Sequence, residues 1–339
     1  MKLKIKGVLF RFSYRIFSNS DSYNYLLERF SCQRIGRYQL IGKRSMSTFA
    51  AQIAVEDKVL VGDAVKVNAK VAEINKAGAK EIQCVFDFDA TISKHKHNGE
   101  HAASCHTALE KTLGEEKYSE MVELRNKFIK IEFDPALTPE EKSPHMTEWW
   151  STAHKKIVEH HVQKQKIQES VRKSAIHIRE RNDEFFKLLE KTPVLLFSAG
   201  IKQIVEYAME YKAAAGLTSN MDVVSNEMIF DENENVVDFS EPLIHTFTKN
   251  TQSIGETWRR KLRERKNVLL MGDSEGDPDM VRDDDLAEGG TCLRVGFLNR
   301  DSPEAREKYQ KLYDIVIVDD ESLSVPIKIV QAILSVDSE

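Results

Sequence analysis

No stretch of this 339-residue chain approaches the roughly 18 uncharged apolar residues that a membrane-crossing helix requires, so no membrane span is expected. Cysteine is sparse. Cys32, Cys84, Cys105 and Cys292 are scattered without a Cys-x-x-Cys pair, which leaves no disulfide framework and points to a reduced intracellular protein. Fifteen glycines and eight prolines are too few for a collagen-like or Pro/Gly-rich disordered chain. What is present is ordinary for a globular protein: 41% apolar residues, 30% charged residues and a mean hydropathy of −0.44. The length suits one large core or two unequal domains.

Acidic residues are almost missing from the first fifty positions, which hold ten Lys/Arg against Asp21 and Glu28. The formal charge of −5 therefore divides into +8 for residues 1–50 and −13 for the rest. An acidic body lacks the basic stripe that a nucleic acid polymer needs, although a local pocket can still neutralise a small phosphorylated ligand. The basic, acid-poor opening MKLKIKGVLFRFSYRIFSNS suits an amphipathic helix of the organellar transit type, and Arg11 and Arg15 break any secretory apolar run. A leader ahead of a second start at Met46 reads equally well. The body is accordingly expected in the cytoplasm, with a mitochondrial location as the alternative, and residues 1–50 are set aside from the fold.

Beyond residue 50, short apolar runs alternate with helical patterns. IQCVFDFD reads as a buried strand that ends in carboxylates, TPVLLFSAG as a second and KNVLLMGDSEGD as a third. TCLRVGFLN and YDIVIVDD follow as strands, MDVVSNEMIF and NVVDFSEPLIHTF as two strands around a turn at 231–235, and helices are expected at 201–215, 251–265 and 322–335. Residues 94–190 are charged and helix-periodic, with breaks at Asp134-Pro135 and near Pro144. The pattern predicts an α/β fold: a doubly wound parallel sheet formed by residues 51–93 and 191–339, with a helical cap domain inserted at 94–190.

In such sheets ligands bind beyond the carboxyl ends of the strands, and three of these ends carry Asp87/Asp89, Ser198 and Asp273. Two acids at one strand end can divide the work, one attacking an electrophile and the other handling protons. A carboxylate attacking a phosphate dianion needs its charge neutralised. Mg²⁺, a hard cation with oxygen ligands, is the expected cofactor, and Asp273 is a further ligand for it. Lys249 offers a point charge to phosphoryl oxygens, and Ser198 with the backbone N–H groups of Ser-Ala-Gly can hydrogen-bond them.

With DFDAT (87–91), FSAG (197–200), Lys249 and GDSEGD (272–277) in order, the sequence resembles the haloacid dehalogenase superfamily of phosphohydrolases. More narrowly it resembles the cytosolic 5′-nucleotidase III family of pyrimidine and 7-methylguanosine nucleotidases. That likeness runs over about residues 55–335 through KIEFDP, EEKSPHMTEWW, LLFSAGI, VVSNEMIFD, LIHTFTKN, LLMGDSEGD and YDIVIVDDESL. The resemblance implies that Asp87 is the nucleophile and forms an aspartyl-phosphate, and that Asp89 protonates the leaving ribose oxygen and then activates water. It implies Mg²⁺ on the Asp87 carboxylate, the Asp89 carbonyl and Asp273, with Asp277 supporting that shell or Lys249. Ser198, the Ala199 backbone and Lys249 would hold the phosphate, Glu132 would contact the base, and His106 and Trp150 would stack on it.

The chain departs from the family pattern at Ala90 and Ile92, where Met and Leu are common, and at Ala153, where a Ser can reach the base. The expected substrate is a nucleoside 5′-monophosphate (CMP, UMP or 7-methyl-GMP), and the expected state a monomer. Phosphoryl transfer to a second nucleoside is open to the same intermediate. Two other readings are a phosphatase for another small phosphomonoester such as phosphoserine, and an inactive nucleotide binder. Several local expectations complete the reading. At most one of Trp149 and Trp150 should line the pocket, since neighbours on a helix point about 100° apart. His154, His160 and His161 should lie on a helix surface, and Gly272 and Gly276 should serve as turn glycines. The run His95, His97, His101, Cys105, His106 matches no usual zinc spacing.

Overall fold

In the computed structural model, residues 2–5, 8–11, 48–56, 58–110, 115–134 and 136–335 are described. They fall into two units, Met1–Met46 and Ser47–Glu339. In the first, Lys2–Ile5 pairs antiparallel with Val8–Arg11, so the helix expected for the basic opening is replaced there by two paired strands. The reason is in the residues: Lys-Leu-Lys-Ile alternates with period two, the period of a strand. Residues 12–47 of the expected leader, Met46 included, lie outside the described residues, whereas Thr48–Ala50 are not leader-like: helix Phe49–Ile53 belongs to the second unit, with Ala50 in its core.

The second unit is built on seven strands: β1 (Val59–Val61), β2 (Ile82–Phe86), β3 (Val194–Ile201), β4 (Met221–Asn226), β5 (Asn267–Gly272), β6 (Cys292–Leu298) and β7 (Ile315–Val318). Their order is β1-β7-β6-β5-β2-β3-β4, parallel except for β1, which runs antiparallel to β7 at the edge. Strands β2, β5 and β7 are buried along their whole length. This is why they read as unbroken apolar runs: helices cover both faces. The chain winds from β2 outward through β3 and β4, then returns to β5 on the other side of β2. The reversal places a crevice at the carboxyl ends of β2 and β5.

Three local details differ from expectation. The Ser-Ala-Gly segment is a bulge inside β3, where the register against β4 shifts between Phe197 and Ile201; bulges of this kind re-aim side chains beside active sites. MDVVSNEMIF is split, β4 joining the main sheet while Met228–Phe230 forms a hairpin with Val236–Phe239. The break near Pro144 does not occur. Helix Pro139–Glu159 begins at a capping box between Thr138 and Glu141 and runs through Pro144. So close to the helix start, the ring forfeits one hydrogen bond, to the Glu140 carbonyl.

The helical insertion leaves the sheet after β2 and returns beside its own departure. Ser93 bridges Ile178, the Lys94 N–H donates to the His177 carbonyl (2.7 Å), and the Arg179 N–H donates to the Ile92 carbonyl (3.0 Å). Between these ends lie a small hairpin (Lys96–His97 with Glu100–His101) and the helices Cys105–Glu110, Glu115–Glu132, Pro139–Glu159 and Lys164–Lys173. Met121, Ile157 and Ile167 from these helices share one apolar cluster with Phe86 and Leu196 of the sheet.

Candidate active site

Each acid reaches the crevice because an apolar strand stops there. Asp87 follows β2, and its N–H donates to the Met271 carbonyl of β5 (2.9 Å). Asp273 follows β5. The side chain of Lys249 lies between the two strand ends, its Nζ 2.6 Å from Asp87 Oδ1 and 2.6 Å from Asp277 Oδ1. All three side chains are at most 7% exposed. Burial acts against the Lys249 charge, but Asp277 and Asp87 outweigh it and raise its pKa. Burial also raises the pKa of Asp87, opposed by Lys249, and that of Asp273, reinforced by the Asp87 and Asp277 charges.

Asp277 organises the loop. While Oδ1 holds Lys249, Oδ2 accepts the backbone N–H groups of Asp273 (2.9 Å) and Ser274 (2.8 Å). The loop is pinned from behind by the Tyr309 hydroxyl on the Asp273 carbonyl and the Tyr313 hydroxyl on the Ser274 carbonyl, each at 2.5 Å. Gly272 and Gly276 permit this by being small rather than by turning, since neither has a positive φ. A Cβ on Gly272 would lie 2.3 Å from Asp277 Cβ, and one on Gly276 would lie 2.3 Å from the Thr246 carbonyl oxygen.

Asp87, Asp273 and Asp277 each present an oxygen within 4.8 Å of the others, the one such cluster of metal-ligating groups among the described residues. An all-oxygen set suits a hard divalent cation. With both Asp277 oxygens engaged, the donors left over are Asp87 and Asp273, so these residues fit the expected Mg²⁺. The Asp89 carboxylate stands outside that cluster: it accepts the Cys105 N–H at 3.0 and 3.3 Å, and burial lifts its pKa to about 6. Ala90, the next residue, has φ of 59°, a left-handed conformation costing about 1–2 kcal/mol for a residue with a Cβ.

All ten expected site residues (Asp87, Asp89, His106, Glu132, Trp150, Ser198, Ala199, Lys249, Asp273 and Asp277) line one cavity of about 700 Å³. Ser198 Oγ accepts from the Gly200 N–H (3.0 Å), and the Ala199 carbonyl accepts from Asn226 Nδ2 (3.0 Å) and from Trp150 Nε1 (2.8 Å). The insertion supplies further lining residues. Glu132, at the end of Glu115–Glu132, accepts from Thr246 Oγ1 at 2.7 Å, and burial raises its pKa. His106 meets Trp150 edge to face at 5.2 Å. Trp149 lines the cavity as well, contrary to the expectation that one of the pair would turn away. An apolar stripe at least 100° wide faces a helix's partner, which is room enough for both. Ala153 is buried and lines the same cavity. His154 is buried rather than on the surface, stacked on Phe239 at 3.8 Å.

Several polar groups in or beside the site were given no role by the motifs. Asn226 and Asn299 are buried and tie loops together; the sequence held the same sign for them as for Asp87, a polar residue at the carboxyl end of an apolar strand. Arg179 and Thr246 gave no comparable sign.

The sequence profile of the pyrimidine 5′-nucleotidase family matches residues 90–334. The chain belongs to this family. A human 7-methylguanosine phosphate-specific 5′-nucleotidase (Homo sapiens) is 36% identical over 281 residues, 81% of this chain and 92% of that protein. A Caenorhabditis elegans protein that bears the name cytosolic 5′-nucleotidase 3 is 38% identical over 290 residues, 83% of this chain and 76% of its own. Among solved structures, cytosolic 5′-nucleotidase IIIB bound to cytidine matches with a TM-score of 0.75 and 30% identity, covering 83% of this chain and 95% of that one. The pyrimidine 5′-nucleotidase family member described here thus has the doubly wound fold of haloacid dehalogenase-type hydrolases, with its acids at the switch point of the sheet.

Proposed function

We propose that the protein hydrolyses nucleoside 5′-monophosphates, CMP or UMP and/or 7-methyl-GMP, to nucleoside and phosphate. The observation that carries this is the shared cavity: Asp87, Asp89, Ser198, Lys249 and Asp273 line it together with Glu132, His106 and Trp150 of the insertion. Groups suited to a phosphate thus share one cavity with groups suited to a flat base with N–H donors.

Mg²⁺ held by Asp87, Asp273 and the Asp89 carbonyl supplies charge neutralisation between carboxylate and phosphate when bound. An Asp87 carboxylate oxygen attacks phosphorus, the bond from phosphorus to the ribose 5′-oxygen breaks, and Asp89 gives its proton to that oxygen. Asp89 then takes a proton from water, whose oxygen attacks the aspartyl-phosphate. Phosphate leaves, and the Asp87 carboxylate is restored. A raised pKa near 6 suits Asp89 to both halves of this exchange. Lys249, Ser198 and the Ala199 N–H hold the phosphoryl oxygens, and Asp277 fixes Lys249. Glu132 accepts from the base, which packs against His106 and Trp150. A nucleoside hydroxyl in place of water makes the second step a phosphotransfer. We assign a monomer, and a location in the cytoplasm in keeping with the word cytosolic in the names of two relatives, which give the mitochondrial alternative no support.

The test is phosphate release by the full chain from CMP, UMP, 7-methyl-GMP, GMP and phosphoserine, with Mg²⁺ and with chelator, beside Asp87→Asn. Nucleotide turnover that needs Mg²⁺ and vanishes in the variant is expected. Turnover of phosphoserine alone would keep the chemistry and replace the substrate.

A further inference from the structure

A buried cation stands behind the acids and takes no part in the scheme above. Arg179 is wholly buried, and its hydrogen bonds go to carbonyl and amide oxygens rather than to a carboxylate. Nε donates to the Thr91 carbonyl (2.7 Å), Nη2 to the Ala90 carbonyl (2.6 Å) and to Asn299 Oδ1 (3.1 Å), and Nη1 to the Asp320 carbonyl. The guanidinium lies 4.0 Å over the Phe297 ring. A planar five-donor fork can meet all of these oxygens at once, which an ammonium cannot.

Asn299 closes the circuit. With Oδ1 held by Arg179, its Nδ2 donates to the Ala90 carbonyl (3.0 Å) and to Asp273 Oδ2 (3.2 Å). The Ala90 carbonyl thus receives two donors, and Ala90 is the left-handed residue that follows Asp89. Such a conformation persists where its surroundings over-determine it. Arg179 also sits where the insertion rejoins the sheet, its own N–H on the Ile92 carbonyl.

We propose that Arg179 and Asn299 are positioning residues that fix the Asp89 loop and the Asp273 carboxylate relative to each other at the neck of the insertion. Neither touches the reacting atoms. Arg179 holds Asn299 and the backbone of the first loop, and Asn299 turns that hold into an orientation of Asp273. The inference rests on Asp89 and Asp273 being working groups, as proposed above, and not on which base is read.

The test uses the full chain with Arg179→Lys, Asn299→Ala and the double variant. Turnover is measured on whichever of CMP, UMP, 7-methyl-GMP and p-nitrophenyl phosphate the unaltered protein hydrolyses best. Mn²⁺ binding is measured separately by electron paramagnetic resonance without substrate. Each single variant is expected to lower kcat by about 10- to 100-fold and to weaken Mn²⁺ binding by about tenfold, the usual effect of removing a group that orients a metal ligand. KM should change by less than about threefold. The double variant should be no worse than the worse single one, because both interrupt the same circuit. Losses that multiply in the double variant, a raised KM at unchanged kcat, or unaltered Mn²⁺ affinity would overturn the proposal. Asn299→Ala removes no buried charge and decides the matter alone if Arg179→Lys does not fold. Should the unaltered protein hydrolyse none of the substrates, the function proposed above fails, while the Mn²⁺ measurement still decides the positioning role.

Discussion

Glu132 on the inserted helix accepts a 2.7 Å hydrogen bond from the Thr246 hydroxyl, and both residues line the cavity. The bond favours the carboxylate form against a burial that raises its pKa. It engages Oε1 and leaves Oε2 for a ligand donor. Glu132→Gln replaces one acceptor by an NH₂ group that opposes a base N–H. We expect kcat/KM for CMP and 7-methyl-GMP to fall by about 10- to 100-fold, the worth of a hydrogen bond to a charged group. The smaller loss should be on p-nitrophenyl phosphate, which has no base. Steady-state phosphate or nitrophenolate release checks both, and equal losses on all three would remove Glu132 from base recognition.

Lys249 is the cation that lets Asp87 and Asp277 share a buried site. Lys249→Met leaves both carboxylates, with Asp273 close by, and no compensating charge. Breaking a buried pair from one side costs about 3–5 kcal/mol, so urea unfolding at neutral pH without divalent cation should show a loss of that order. Asp87→Asn keeps the Lys249–Asp277 pair and should lose less stability while losing all turnover.

Where the chain alternates apolar strands with helices, the sequence is readable because burial on both sides of a parallel sheet forces unbroken apolar runs, as in Ile82–Phe86 and Asn267–Gly272. The acids that follow those runs are readable for the same reason. Strand β1 was not, since three residues at an antiparallel edge carry no period. Burial of His154 was not, because its partner Phe239 lies on a hairpin beyond the next helices. Least readable is the support of the acids. Cys105 on Asp89 and Arg179 on Ala90 join backbone to side chain across 16 and 89 residues, and no local pattern encodes such pairs.

Gly272 ends β5 at the point where the acid loop folds back on the strand. Its hypothetical Cβ would meet Asp277 Cβ at 2.3 Å and Oδ2 at 2.6 Å. Asp277 cannot yield, since its carboxylate is held by Lys249 and two backbone N–H groups. Gly272→Ala is therefore expected to displace Asp277 and with it Lys249, costing about 1–3 kcal/mol of overpacking and most of the turnover. Thermal melting with steady-state kinetics checks this. A variant as active as the unaltered enzyme would show that the loop has slack the packing denies.

Two buried histidines make the fold sensitive to acid in a direction that can be worked out. His245 is neutral for a geometric reason: Nδ1 accepts the Phe247 N–H (3.2 Å), so the ring proton sits on Nε2, facing Thr147 Oγ1 at 3.2 Å. A second proton would have to enter at Nδ1 against a donor. Burial lowers the pKa of His245 to about 4 and that of His154, stacked on Phe239, to about 3. In the unfolded chain both would titrate near 6.5. Between pH 6.5 and 4 the unfolded state thus binds more protons than the folded one, and stability falls as pH falls. Each group adds up to about 1.4 kcal/mol per pH unit. The buried carboxylates with raised pKa values act in the opposite sense, so the difference between unaltered protein and variant is the clean measure. His154→Phe, which keeps an aromatic ring against Phe239, should flatten the dependence of unfolding free energy on pH below 6.5 and leave its slope above pH 7 unchanged. Equal slopes in both proteins between pH 6.5 and 5 would mean that His154 is already protonated in the native state, with its charge met by a group the ring does not touch here.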